Sequence, residues 1–124
     1  MEEAAILVIE SDLRLRRLMQ AEMEGVLRGD FYESLEELYE AWKQGKLSPD
    51  VKAAVVEMKS NTKDELTKLM QCFSKLPEIQ IFLTLNYDCD FQLQEGFIRA
   101  WTNNILFRPF EADKMVNSIK SKLL

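Results

Sequence analysis

The sequence predicts an α/β fold, a doubly wound five-stranded parallel sheet with helices on both faces. Short apolar runs alternate five times with segments of helical periodicity, at spacings that suit right-handed βαβ crossovers. The first run, Ala4–Ile9, is apolar at every position, as expected for a strand buried on both faces of a parallel sheet. The 124 residues are enough for one compact domain, so we expect residues 1–124 to form a single domain.

The first predicted helix follows this strand directly. Asp12 is a suitable N-cap, and Gly25 is a suitable C-terminal stop. Three apolar residues recur at helical spacing and form its predicted buried stripe: Leu15, Leu18 and Met19. The segment Val26–Phe31 is a weaker strand candidate, because its charged residues and its glycine are typical of an edge strand.

The second predicted helix and the third strand have clearer boundaries. Ser34 followed by Glu37 is a capping-box pattern, which predicts a helix start. Gly45 ends the helix, and Pro49 prevents it from continuing. The predicted inner stripe of this helix is Leu35, Leu38, Tyr39 and Trp42. Val51–Val56 then reads as the next buried strand.

The second half of the chain repeats the alternation. The predicted elements are a helix from about Lys63, a strand Ile79–Thr84, a helix Asp90–Trp101, a strand Asn104–Phe107 and a helix Glu111–Leu124. The residues expected to face inward from the first and last of these helices are Leu66, Leu69, Met70, Phe73, Met115, Ile119 and Leu123.

The composition excludes several classes of function. The net charge of -5 and the pI near 4.8 disfavour binding to nucleic acid or to an anionic membrane surface. The absence of histidine removes Ser-His-Asp and Cys-His catalysis, histidine-ligated metals and a histidine phospho-donor. Cys72 and Cys89 are too few for a metal knuckle; we expect reduced thiols in a cytoplasmic protein, with one disulfide left open. No apolar run is long enough to span a membrane.

Polar residues are expected to meet at one edge of the predicted sheet. Functional sites of open parallel sheets lie at the carboxyl ends of the strands. In this chain those ends are Glu10-Ser11-Asp12, Glu57-Met58-Lys59, Thr84-Leu85 and Arg108-Pro109.

The order and spacing of these residues resemble the receiver domain of two-component response regulators over essentially the whole chain. An apolar strand ends in the acidic cluster Glu10–Asp12, and Glu57 takes the place of the phospho-accepting aspartate. Thr84 matches the hydroxyl residue of the family, and Arg108 stands at its lysine before Pro-Phe. The resemblance implies a flavodoxin-like sheet of order 2-1-3-4-5 and a role in bacterial signal transduction.

The residues also depart from the family pattern at the positions that bind magnesium and take part in phosphoryl transfer. An active receiver needs carboxylates that hold magnesium, an aspartate that attacks a phosphoryl donor, a lysine and a hydroxyl group. Glu10 and Glu57 are each one methylene longer than aspartate, and Ser11 has no carboxylate. Arg108 is planar and recognises carboxylates in bidentate fashion, so it is not equivalent to lysine. Ile105 replaces the aromatic switch residue. These departures imply a degenerate receiver, or pseudo-receiver, without catalytic residues and without tight magnesium binding.

We hypothesise that an internal cation compensates the acidic pocket. Glu10, Asp12 and Glu57 would repel one another at the end of the sheet if they were left unpaired. Lys59 or Arg108 is placed to replace the missing magnesium and to lock the domain in one state. Spacing alone favours ordinary solvated residues at strand ends and helix caps, and only the resemblance favours a pocket.

Binding is the function expected of a receiver-like domain whose phospho-acceptor site is degenerate. The resemblance implies a protein partner or a homodimer that uses the face formed by residues 90–124. Two alternatives stay open: a conventional receiver phosphorylated at Glu57 or Asp12, and a small α/β nucleotide-binding protein or enzyme. The second is disfavoured because the four glycines form no phosphate-binding loop. Whether the chain is a fragment of a longer regulator also stays open.

Overall fold

The computed structural model describes residues 4–47, 50–58, 63–74, 76, 78–85, 96, 99 and 104–123. The elements in chain order are β1 Ala4–Ile9, α1 Leu13–Met23, β2 Leu27–Tyr32, α2 Leu35–Lys43, β3 Val51–Met58, α3 Lys63–Phe73, β4 Gln80–Leu85, β5 Asn104–Phe107 and α4 Ala112–Leu123. No helix in these ranges is long and apolar enough to cross a membrane.

The five strands form one parallel sheet of order β2-β1-β3-β4-β5, which confirms the predicted fold class. Ile9 of β1 lies level with Val56 of β3, so the residues that follow them, Glu10 and Glu57, are neighbours at the carboxyl edge. Glu57 in turn lies level with Thr84 of β4. The register of the sheet therefore brings these three side chains to one edge.

Alternate residues of the central strands contribute to two separate cores. On β1, Leu7 and Ile9 face the core formed with α2 and α3, whereas Ile6 and Val8 face the core formed with α1 and α4. All four side chains are 0–1% exposed. A strand covered on both faces needs an apolar residue at every position, which explains the uninterrupted run that predicted it.

The helix boundaries follow from local signals. Asp12 caps α1 by accepting hydrogen bonds from the backbone N–H of Arg14 and Leu15, as predicted. Ser34 Oγ caps α2 by accepting from the N–H of Glu37 at 3.2 Å. The Glu37 carboxylate accepts from the N–H of Glu33 at 3.0 Å, one residue earlier than in a standard capping box.

Two residues predicted to lie in buried stripes are exposed instead. Leu18 of α1 is 49% exposed and Met70 of α3 is 43% exposed. In each helix, two residues four apart, Met19 with Met23 and Leu69 with Phe73, face the sheet. Each exposed residue lies one position, or about 100°, away from that line, because an α-helix has about 3.6 residues per turn.

Some predicted features lie outside the described residues. Of the predicted helix Asp90–Trp101, the structure describes only Gly96 and Arg99, and both are helical. The predicted loop that contains Cys89 also lies outside those ranges, as does Lys59.

The third strand continues through Met58, two residues further than predicted, so Glu57 lies within β3.

Candidate functional site

A buried carboxylate marks the carboxyl edge of the sheet. Glu10 follows β1 and is only 1% exposed, and its backbone N–H donates to the carbonyl of Tyr32 at 3.0 Å. Its side chain points into the site, where Oε1 and Oε2 each accept a 2.8 Å hydrogen bond from Arg108. Oε2 also accepts from the N–H of Asp12 at 3.1 Å. Every polar atom of this carboxylate therefore has a partner, as a buried charge requires.

Arg108 reaches the centre of this edge from the segment that follows β5. Its backbone N–H donates to the carbonyl of Leu85 at 2.6 Å, which continues the pairing of β5 with β4. Nη1 also donates to Thr84 Oγ1 at 3.1 Å, and Nη2 lies 3.5 Å from Glu57 Oε2. The guanidinium sits over the ring of Phe110, 5.3 Å from its centroid. One side chain thus contacts residues from β1, β3 and β4.

Ser11 and Glu57 form the second half of the site. Glu57 Oε1 accepts from the N–H of Ser11 at 3.0 Å, and Oε2 accepts from the Ser11 hydroxyl at 3.2 Å. The Glu57 side chain is 10% exposed. Sequence reasoning treated Ser11 only as a lost carboxylate. The structure shows that Ser11 instead supplies two donors to the carboxylate of Glu57.

The electrostatics of the site favour a permanently charged arginine. Burial of the guanidinium by itself lowers the pKa of Arg108. The hydrogen bonds that Arg108 donates to Glu10 and the negative charges of Glu10, Glu57 and Asp12 outweigh burial and raise the pKa above its ordinary value. The arginine therefore keeps its proton at any pH at which the fold survives.

The other predicted site residues lie around this core. Asp12 is exposed; one of its oxygens caps α1, and the residue lines an open cavity of about 410 Å³ beside Arg108 and Phe110. Ile105 lies half-buried in β5 and packs against the core on the α2 and α3 face. Leu85, at the end of β4, is fully buried in that same core. Of the two candidate internal cations, only Arg108 lies within the described residues.

The residues present do not fit a magnesium ion. Magnesium prefers carboxylate and water oxygens in octahedral geometry. Here both oxygens of Glu10 accept hydrogen bonds from the Arg108 guanidinium, and Nη2 of the same group lies 3.5 Å from Glu57 Oε2. A cationic guanidinium lies at the centre of the same site, so a metal ion would have to displace a charge of its own sign.

Comparison with solved structures finds receiver domains. The CheY-like receiver domain protein from Methanospirillum hungatei JF-1 superposes with a TM-score of 0.74 at 14% identity, covering 98% of this chain and 94% of that one. The BeF3-activated receiver domain of DrrB from Thermotoga maritima gives 0.72 at 14% identity, covering 98% of both chains. The receiver domain protein from Clostridium thermocellum superposes with a TM-score of 0.71 at 15% identity, covering 95% of this chain and 92% of that one.

The chain has the receiver fold. A scan against protein-family models finds no match for this sequence, and a search of curated proteins finds none either. The shared property is therefore the receiver fold, and the chemistry of its carboxyl edge has to be argued from this chain's own residues.

Sequence reasoning missed two parts of the site. One is the donor role of Ser11, which depends on how close its backbone comes to Glu57. The other is the contact of the Arg108 guanidinium with the ring of Phe110. The Arg-Pro-Phe run was a usable signal for the second contact, because arginine commonly stacks on a nearby aromatic ring.

Proposed function

We propose that residues 1–124 form one receiver-like signalling domain that acts by protein–protein contact without aspartyl phosphorylation. The observation that carries this proposal is the bidentate ion pair of Arg108 with buried Glu10, at 2.8 Å for both hydrogen bonds. In this proposal, the fixed positive charge stands in for the metal ion expected in a phosphorylatable receiver. It also takes up space that a phosphoryl group would need, and it balances part of the negative charge of the pocket.

The state of Glu57 supports the same conclusion. To act as an acceptor, a carboxylate oxygen must attack the phosphorus of a donor such as acetyl phosphate while acetate leaves. Both oxygens of Glu57 are instead engaged by Ser11, and Oε2 lies 3.5 Å from the Arg108 guanidinium. Nucleophilic attack needs a closely controlled geometry, whereas the two Ser11 donors hold the Glu57 carboxylate in place beside the guanidinium.

The remaining function is binding, and we assign it to the face formed by residues 90–124. In the described part of that face, β5 is the edge strand of the sheet, and its side chains are only half-buried. We propose that this face contacts a protein partner or a second copy of the chain in the cytoplasm of a bacterium. This proposal includes no enzymatic activity, no tightly bound cofactor, and no contact with nucleic acid or membrane.

The decisive experiment is attempted phosphorylation. The protein is incubated with magnesium and acetyl phosphate and examined by intact mass spectrometry, with the DrrB receiver domain as the positive control for the reagents. We expect no phosphoryl adduct, and no change in NMR chemical shifts on adding BeF3. A stoichiometric acyl-phosphate on Glu57 or Asp12 would favour the conventional receiver and contradict the proposal.

Light scattering without any phospho-donor tests the mode of binding. A dimer under these conditions supports constitutive self-association. A monomer at high protein concentration contradicts the homodimer version and leaves contact with a different protein as the proposed function.

A further inference from the structure

We infer that Arg108 is a built-in counter-ion in the structural place of a divalent cation, and that neutralising it converts this edge into a divalent-cation site. The inference rests on the proposed function, because it assumes that the acceptor position is degenerate. It adds a specific claim about the carboxylates: they need a nearby cation, and Arg108 supplies that charge from within the chain.

The geometry of the guanidinium supports this role. Its contacts reach Glu10 after β1, Glu57 in β3 and Thr84 in β4, while its own backbone extends β5. A single positive group therefore links the carboxyl ends of four of the five strands. Its separation from the Glu10 oxygens is 2.8 Å at both contacts, so the charges are in direct contact.

Burial makes the requirement for a cation strict. The Glu10 side chain is 1% exposed and that of Glu57 is 10% exposed, so solvent screens their negative charges poorly. The single positive charge of Arg108 only partly balances Glu10, Glu57 and the nearby Asp12. Without it, two nearly buried carboxylates would remain at neighbouring positions of the sheet and would repel each other.

Removal of the guanidinium also frees the right ligands. Arg108→Met keeps most of the apolar stem and deletes the charge and the donors. It releases both oxygens of Glu10 from the guanidinium and removes the positive charge beside Glu57 Oε2. Carboxylate oxygens are the ligands that Mg²⁺ and Mn²⁺ prefer, and the vacated volume is open to solvent on the side of Asp12 and Phe110.

Unfolding of the full chain at several concentrations of Mg²⁺ or Mn²⁺, each compared with EDTA, tests the inference. We expect the midpoint of unfolding of the wild-type protein to be insensitive to either cation. For Arg108→Met, we expect a lowered midpoint that the cation restores, with the unfolding constant falling about tenfold for each tenfold rise in cation above the dissociation constant.

Two control variants make the result specific. Arg28→Met removes an arginine from a surface ion pair with Asp50, whose side chains are 48% and 57% exposed, and should show no cation dependence. The double variant Glu10→Gln/Arg108→Met should lose most of the cation response, because one of the two carboxylates is gone.

A folded Arg108→Met protein that ignores both cations would overturn the inference, as would a wild-type protein stabilised as much as the variant. If Arg108→Met does not fold with or without cation, Arg108→Gln is titrated instead, and its failure to respond overturns the inference as well. Failure of the proposed function has a separate signature, since it appears as a phosphoryl adduct on the wild-type chain.

Discussion

The guanidinium of Arg108 donates to both carboxylate oxygens of Glu10 at 2.8 Å, across 98 residues of sequence. The arginine side chain is 15% exposed and the glutamate 1% exposed. An ion pair of this kind gains its strength from matched planar geometry and poor access of water. This ion pair lies at the carboxyl edge of the sheet, where open parallel sheets place their ligand-binding sites.

The Glu10–Arg108 pair predicts a strongly non-additive mutant cycle. Arg108→Met should lower the free energy of unfolding by about 3–5 kcal/mol, because it leaves a buried carboxylate without its counter-ion. Glu10→Gln should also destabilise the protein, and the double variant should be more stable than the sum of the two losses predicts. Urea unfolding of the four proteins in EDTA measures the coupling. Additive losses would show that the two side chains stabilise the fold independently.

Neighbouring residues of α1 predict a contrast in stability. Met19 is 0% exposed and Leu18 is 49% exposed. Met19→Ala should lower the free energy of unfolding by about 2–5 kcal/mol, since it opens a cavity between the helix and the sheet. Leu18→Ala should change it by no more than about 0.5 kcal/mol. Thermal and urea unfolding measure both, and equal losses would contradict the orientation of α1.

The cap of α2 predicts a smaller effect. Ser34→Ala removes the hydroxyl that accepts from the N–H of Glu37 and should cost about 1 kcal/mol of stability. Ser118→Ala is the matched control, because the Ser118 hydroxyl donates to the Lys114 carbonyl within α4 and caps no helix N-terminus. Alanine is the better helix former there, so this variant should be neutral or slightly stabilising. A loss at position 118 as large as that at position 34 would argue against the capping role.

Cys72 predicts a slowly reacting thiol. It is 3% exposed, and burial raises the pKa of its thiol to about 11. In a Cys89→Ala variant, we expect a disulfide reagent at about pH 8 to modify Cys72 slowly in the folded protein and rapidly in guanidinium chloride. Reaction of the folded variant at the rate of a free cysteine would contradict this burial.

The same pKa shift sets a pH dependence of stability. The folded thiol holds its proton more tightly than an unfolded one of pKa 9.0, so its stabilising contribution is complete below about pH 9. The contribution is lost as the pH rises from there toward 11. Cys72→Ala should therefore show a shallower loss of stability over this window than Cys89→Ala, as measured by urea unfolding.

The fold was predictable from sequence because its signals are local. Residues close in sequence determine where its elements begin and end. Examples are the strand Ala4–Ile9, the helix cap at Asp12 and the short strand Asn104–Phe107. The error at Leu18 arose because the predicted stripe included two adjacent apolar residues, Leu18 and Met19, which point about 100° apart on an α-helix. Only packing against the sheet decides which of the two is buried.

The site was predictable only as a set of strand ends. Sequence placed Arg108 and Glu57 at the same edge, but the choice of Glu10 as the bidentate partner depends on the reach of the side chains. The donor role of Ser11 is equally invisible in sequence, because its backbone N–H contributes as much as its hydroxyl. Ser11 lacks a carboxylate, but it adds two hydrogen-bond donors to the site.

The distance in sequence between Glu10 and Arg108 has a consequence for the order of folding. Glu10 sits next to the first strand, and its partner comes immediately after β5. Closing a loop of this length has an entropic cost that contacts between near neighbours do not have. A chain in which β5 is not yet docked leaves Glu10 without its counter-ion. Docking of that strand therefore completes the sheet and brings the guanidinium of Arg108 to the buried carboxylate in one step.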